Sequence, residues 1–233
     1  HCVTRRQRQM CIRDRVTADV FGKEKIDLMR SLGANLEIIK SSDGKINKEL
    51  ITKMIKKADQ ISKEPNTFFT NQLNNTDVIE GFVPLGEEIL DQLNGNIHAV
   101  CDTVGTAGTL MGIAKALKKA KSNCKVVAVE PSSSPILSKG IKGSHNVEGV
   151  GLGFVPNIYD DKLVDNVISI DESAARKICK DLAKKEGIFC GTSSGMNVAA
   201  AIQISKELGP KSRVVTVACD TGLKYLSEGL FDD

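Results

Sequence analysis

Residues 99–120 read AVCDTVGTAGTLMGIAKALKKA. The stretch opens as an apolar run, breaks at Gly105 and Gly108, and resumes as Ala, Leu and Lys at helical spacing. That pattern predicts a strand, a tight turn and a helix in immediate succession. A strand that hands over to a helix within a few residues is the repeating unit of a parallel sheet. The glycine break then lies at the carboxyl end of a strand, where open α/β sheets bind their ligands.

The same rhythm continues on both sides. Upstream, KEKIDLMRSLGA (23–34) puts Ile26, Met29 and Leu32 at helical spacing and stops at Gly33, and NLEIIK (35–40) reads as a strand. NKELITKMIKKADQISKE (47–64) is an amphipathic helix with Leu50, Met54, Ile55 and Ile61 inward. Residues 65–80, rich in Asn and Thr, read as a crossing segment, followed by a helix near 84–93 and a strand at 97–104. Downstream, CKVVAVEP (124–131) is apolar almost throughout, as a strand covered on both faces must be. VISI (167–170), IFC (188–190) and RVVTVAC (213–219) read as further strands. Between them, SAARKICKDLAKKEG (173–187), with Ala174, Ile178 and Leu182 inward, and GMNVAAAIQISKEL (195–208) read as helices. The fold class is α/β, a parallel or mixed sheet flanked by helices. A small domain over 16–70 and a larger one over 71–233 are expected. Residues 131–160 carry Pro131, Pro135 and five glycines, and an irregular stretch of that length inside a compact domain is usually functional.

Composition excludes several classes. The net charge is +3, with basic residues interleaved with Asp and Glu, and there is no Trp; neither a nucleic-acid patch nor a stacking platform is present. No apolar run approaches the roughly 20 residues needed to cross a bilayer. A cytoplasmic protein with no membrane or nucleic-acid partner is expected. The seven cysteines form no Cys-x-x-Cys and no zinc-like Cys/His spacing, so no metal site is expected. The opening HCVTRRQRQMCIRDR (1–15) holds five of the eight arginines in the chain, which otherwise uses Lys. Residues 1–15 are therefore expected to be a segment foreign to the fold.

Three loops rich in Gly, Ser and Thr follow strands: VGTAGT (104–109), CGTSSG (190–195) and CDTG (219–222). The first lacks the Gly-Lys-Ser/Thr of a nucleotide loop and the Gly-x-Gly-x-x-Gly of a dinucleotide site. It leaves two hydroxyls, Thr106 and Thr109, and free amides at a helix amino-terminus, which suit one phosphate group. A plain tight turn is the alternative. In the second loop Ser193 or Ser194 could equally cap a helix, and in the third Asp220 and Thr221 could start a turn.

Taken in order, EKIDLMRSLGA, NQLNN, GTAGT, VVAVEPSSSPILSKG, VEGVGLGFVP, KEGIFCGTSSGMNVAAA and DTGLKYLS resemble, block after block, the cysteine synthase family. These are pyridoxal-phosphate enzymes of the tryptophan synthase β-like fold (fold type II), and include the O-acetylserine sulfhydrylases and cystathionine β-synthases. The resemblance implies that Gly105, Thr106, Ala107, Gly108 and Thr109 bind the phosphate of pyridoxal 5′-phosphate and that Ser193 meets its ring nitrogen. Ala107 stands where the family usually has glycine, and is tolerable if the backbone there keeps a negative φ. Gln72 is implied in holding the amino-acid carboxylate, and Glu148, Gly149, Val150 and Gly151 in the mobile substrate loop. Glu148 looks more like cystathionine β-synthases than sulfhydrylases, while His145 reads as a surface loop residue.

The implied reaction is β-replacement on O-acetylserine with sulfide, giving cysteine and acetate, in a homodimer. A serine or threonine dehydratase of the same fold, or a non-catalytic module for a phosphorylated ligand, are the alternatives. The family's Schiff-base lysine and its substrate-gripping Ser/Thr-Gly-Asn-Thr-Gly loop have no counterpart in this sequence, and Lys115 and Lys118 read as solvated. The resemblance thus implies an amino-terminally truncated chain with an incomplete small domain, inactive by itself and less well ordered there.

Overall fold

The computed structural model describes residues 14–44 and 47–232. The arginine-rich opening lies outside the described residues except for Asp14 and Arg15, which begin the first strand.

Two parallel sheets are formed. The smaller pairs β1 (Asp14–Ala18) with β2 (Asn35–Ile39), crossing over through α1 (Lys23–Ser31). Gly33 ends α1 at φ 82°: its amide reaches the Arg30 carbonyl at 2.9 Å, and the next amide, of Ala34, reaches Met29 at 3.0 Å. That pair of bonds satisfies the last carbonyls of the helix, and only a residue tolerant of positive φ makes it without strain. α2 (Lys48–Ile61) follows, its Asn47 side chain accepting the Leu50 amide at 2.9 Å as an N-cap.

The larger sheet has the order β5-β4-β3-β6, all parallel: β3 (Ala99–Thr103), β4 (Lys125–Pro131), β5 (Asn166–Ile170) and β6 (Val214–Thr216). α3 (Asp77–Gln92) and α4 (Gly108–Lys119) cover one face, with Val100, Leu110, Ile113, Leu117, Val126 and Ala128 in the core. α6 (Glu172–Asp181) and α7 (Thr192–Leu208) cover the other, over Ala99, Val127, Val129, Met196 and Ala200. β3 is buried at every position, as expected of a strand with helices on both faces. The chain runs outward from β3 through β4 and β5, then returns to place β6 on the opposite side of β3. Strand order reverses between β3 and β6, and the crevice at their carboxyl ends is where such sheets bind ligands.

Several local expectations are corrected. α3 begins seven residues before Pro84, which lies inside the helix. The missing ring N–H is outweighed by close packing on α4, where a Cβ at Gly86 would stand 2.6 Å from the Ala116 methyl and one at Gly112 would stand 2.4 Å from Phe82. Cys190 forms only an isolated bridge to Thr221, so no strand runs through 188–190, and the last strand covers three residues of the seven read as strand. In α6 the inward residues are Ala175 and Cys179, with Ala174 exposed. In α2 Leu50 and Ile51 are buried and Ile55 is exposed, while Leu32, just past α1, is 78% exposed. The small sheet thus offers these helices less cover than their periodicity anticipates.

The long 131–160 segment is anchored from within. Glu130, only 1% exposed, accepts the Leu137 amide at 2.7 Å, the Ser138 amide at 3.2 Å and the Ser169 hydroxyl at 3.1 Å. A buried carboxylate is tolerable when its lone pairs are filled in this way, and here it fixes the short helix α5 (Ile136–Lys139) against β5. His145 is buried, not on the surface: Nδ1 accepts the Val147 amide at 3.2 Å, which leaves the Nε2 proton for the Gly151 carbonyl at 2.9 Å.

Candidate active site

A cavity of about 520 Å³ opens at the β3/β6 crevice, a size typical of small-ligand sites. Gly105, Thr106, Ala107, Gly108 and Thr109 line one end, Ser193, Cys219 and Asp220 line another part of the wall, and Gln72, Glu148, Gly149 and Val150 also face it. Gly151 does not line it; at φ 57° it turns the loop, and its amide holds the Val104 carbonyl at 3.1 Å. The structure therefore gathers into one cavity, from four distant stretches, all but Gly151 of the cofactor- and substrate-binding residues that the resemblance implies.

At the first end the helix α4 starts at Gly108, and its first internal bond runs from the Met111 amide to the Ala107 carbonyl at 2.9 Å. The amides before Met111 are left free by helix geometry, and together with the positive end of the helix dipole they form an anion site. Gly105 has no room for a side chain, since a Cβ there would stand 2.1 Å from the Gly149 carbonyl oxygen. The 148–151 backbone thus rests directly on the 105–109 turn. Ala107 departs from expectation: its φ is +74°, in the left-handed region, not negative. An L-residue there carries about 1–2 kcal/mol of strain, offset in part by burial of its methyl group, which is 4% exposed. Ala107→Gly is accordingly expected to change stability by under about 0.5 kcal/mol, because relief of strain is opposed by the entropy of glycine. Ala107→Val should lose about 2 kcal/mol, because a β-branched residue is a true outlier at that φ. Urea unfolding of the two variants checks this, and equal losses would refute it.

At the second end Ser193 sits inside the first turn of α7, whose N-cap is Gly191, so neither Ser193 nor Ser194 is the cap. Ser194 instead uses its hydroxyl to accept the Cys219 amide at 2.9 Å. Thr221 does cap a helix, the 3-10 turn Gly222–Glu228, through the Leu223 amide. One turn below Ser193, the fully buried Asn197 accepts the Thr103 amide at 2.7 Å and donates to Asp102 at 2.8 Å and to the Val217 carbonyl at 2.9 Å. This amide ties α7 to the ends of both β3 and β6 and so fixes where Ser193 stands. Asp102, 4% exposed and lining the cavity, has its carboxyl pushed up to about 6 by burial. Burial also raises the Cys219 thiol, with the Asp102 charge adding to the effect.

The mouth is ionic. Lys25 on α1 lies over the Tyr225 ring, 3.8 Å from its centroid, and pairs with Glu148 and, at 3.5 Å, with Glu228. Glu148 also accepts the Gly22 amide at 3.2 Å at the start of α1, so in this state it joins the small sheet's helix to the substrate loop. Burial, and then the Glu148 charge, raises the Glu228 carboxyl. Tyr225 donates to Asp220 at 2.9 Å, and burial raises its phenol further. The other Asp220 oxygen, Oδ1, is buried with no hydrogen-bond partner among the described residues. Lys115 points away from the cavity and pairs with Glu80; the amines that line it belong to Lys25 and Lys224. The sequence reading missed Lys25, Asp102, Asn197 and Tyr225. Only Asp102 carried a visible signal, a carboxylate inside an otherwise apolar strand.

A free helix amino-terminus with two threonine hydroxyls at one end, a hydroxyl and an unsatisfied carboxylate oxygen at the other, and a cavity of this volume between them fit a flat phosphorylated cofactor. A family model described as pyridoxal-phosphate dependent enzyme matches residues 13–220, and the chain belongs to that family. Within it the chain is of cysteine synthase type. It is 38% identical over 221 residues to a cysteine synthase of Staphylococcus aureus strain Mu50, covering 92% of this chain and 69% of the relative. Among solved structures, an O-acetylserine dependent cystathionine β-synthase from Helicobacter pylori superimposes with TM-score 0.86 at 30% identity, over 94% of this chain and 70% of that one. Cysteine synthase from Entamoeba histolytica gives TM-score 0.83 at 26% identity, over 100% and 75%. The cofactor is pyridoxal phosphate and the fold is of the tryptophan synthase β type. Among the described residues no helix is long and apolar enough to cross a membrane.

Proposed function

We propose that the cavity binds pyridoxal 5′-phosphate for β-replacement on an O-acylated serine, with sulfide as the second substrate. The observation that carries this reading is the placement of 105–109 and Ser193 on one cavity at the strand-order reversal. Gly105 to Thr109 would hold the phosphate through amides and two hydroxyls, and Ser193 would meet the ring nitrogen. Gln72 and the Glu148–Gly151 loop would hold the amino-acid substrate. When bound, the cofactor supplies an electron sink for the bonds to the substrate's α-carbon, and the protein orients it and tunes its electronics. A serine hydroxyl leaves the ring nitrogen less firmly protonated than a directly bonded aspartate, which favours elimination and replacement at the β-carbon over transamination. Glu148 supports a second reading, in which an amino-acid thiol replaces sulfide as in cystathionine β-synthases. Following the resemblance, the protein is read as a cytoplasmic homodimer. Lys25, an amine on the cavity wall, is engaged by Glu148 and Glu228.

Titration of the purified chain with pyridoxal phosphate, followed by cofactor absorbance, tests the reading. Replacing Thr106 and Thr109 together by Ala should weaken binding about 10- to 100-fold, the loss of two charge-assisted hydrogen bonds. Unchanged affinity would refute the phosphate assignment. Activity on O-acetylserine with sulfide, set against serine with homocysteine, would choose between the two second substrates.

A further inference from the structure

The cavity is electrically polar along its length. Its phosphate end is the amino-terminus of α4, with free amides and the positive pole of the helix. Its Ser193 end is acidic. Asp102 stands next to last in β3, 4% exposed, with Oδ1 accepting the Asn197 amide at 2.8 Å and the Thr103 backbone amide beside the carboxylate. Among the described residues no lysine or arginine pairs with it. From α7 it faces Ser193's turn and Asn197, both uncharged. From the segment after β6 it faces the Cys219 thiol, with Asp220 next along the chain; from its own strand, Cys101. Beyond Asp220 stand Lys224, at 3.6 Å from its carboxylate, and Tyr225. The Cys219 sulfur lies 3.5 Å from the Asn197 amide nitrogen, and Cys219 and Ser193 share the cavity wall with Asp102.

A carboxylate buried with amide donors but no cation is costly. It is retained without strain if a ligand brings the missing positive charge. A ligand with an anionic group at one end and a protonatable nitrogen at the other matches both poles at once.

We propose that Asp102 is a positioning residue for the cofactor's ring: a buried carboxylate, held by Asn197 on the cavity wall it shares with Ser193, that favours the protonated ring nitrogen. Ser193 is then not alone in setting the electronics of the ring, and the electron sink is stronger than a serine by itself provides. The proposal rests on the cofactor reading above. The burial-raised carboxyl is consistent with it, because a group whose charged form is disfavoured by burial gains most from a positive partner.

The test uses ¹⁵N-labelled pyridoxal phosphate bound to the wild-type chain and to Asp102→Asn, which keeps an oxygen for Asn197. The ring nitrogen shift is followed between about pH 6 and about pH 9. The wild-type ring should lose its proton about one pH unit or more above the variant, as expected for an opposite charge nearby. Coincident midpoints, with the cofactor bound in both, overturn the proposal while leaving the cofactor reading intact. A merely structural Asp102 predicts that coincidence. A second measurement needs no variant: the ¹³C titration of the Asp102 carboxyl should move to lower pH when the cofactor binds, by reciprocity, and an unmoved titration overturns the proposal. No binding by the wild-type chain refutes the cofactor reading and this inference with it.

Discussion

Gly105→Ala is expected to lose about 2–3 kcal/mol of stability and at least about tenfold in pyridoxal phosphate affinity, although it adds a single methyl group. The methyl would stand 2.1 Å from the Gly149 carbonyl oxygen, and that carbonyl cannot easily retreat. Two residues on, the Gly151 amide holds the Val104 carbonyl at 3.1 Å, and the Gly151 carbonyl is held by the buried His145 at 2.9 Å. The substrate loop must lift as a unit or the phosphate loop must open, and both options displace amides that face the cavity. Gly81→Ala is the matched control. That glycine lies inside α3, is exposed, and has nothing within 4 Å of where the added methyl group would stand. Alanine there should stabilise the chain by up to about 1 kcal/mol through helix propensity. Urea unfolding and cofactor titration of both variants decide the matter, and similar behaviour of the two would refute the close-approach argument.

The second large effect is pH-dependent. Asp102 has a folded-state pKa of about 6, raised by burial, against the ordinary carboxylate value of about 4 in an unfolded chain. Between these values the folded state binds the proton more tightly than the unfolded one, so the contribution is intact below about pH 4 and is lost as pH rises through about 6. Above that, the buried charge costs about 3 kcal/mol, two pKa units at about 1.4 kcal/mol each. Asp102→Asn removes the ionisation and should therefore be more stable than wild type by about 1–3 kcal/mol at pH 8 without cofactor, with little difference at pH 4. A stability difference that does not change with pH would sink the assignment. Cofactor saturation should narrow the gap, because it stabilises the ionised wild-type carboxylate.

The comparison of GTAGT with GTSSG illustrates how far local sequence reaches. Each was legible as a turn at a helix start, because glycine and small hydroxyl residues specify backbone freedom and hydrogen bonding locally. Neither local reading settles which hydroxyl faces a ligand. Ser194, chemically identical to Ser193, spends its oxygen on the Cys219 amide, while Ser193 lines the cavity. The difference arises from one step of helical rotation and from Asn197, whose bonds to Thr103, Asp102 and Val217 set the phase of α7. The misread inward face of α6 has the same origin: Ala174 and Ala175 both satisfy a helical period, and only contact with α7 selects the second.

The α/β class, the alternation of strand and helix and the glycine turn ahead of the 108–119 helix followed from the sequence alone, because periodicity, glycine placement and capping chemistry act over a few residues. The sign of φ at Ala107, the burial of His145, the ion pairs of Lys25 and the charge beneath Ser193 were decided by tertiary structure. Each depends on groups far apart in the chain, such as Lys25 and Glu148 or Asp102 and Asn197, whose meeting is set by strand order and helix packing. No local pattern encodes that meeting.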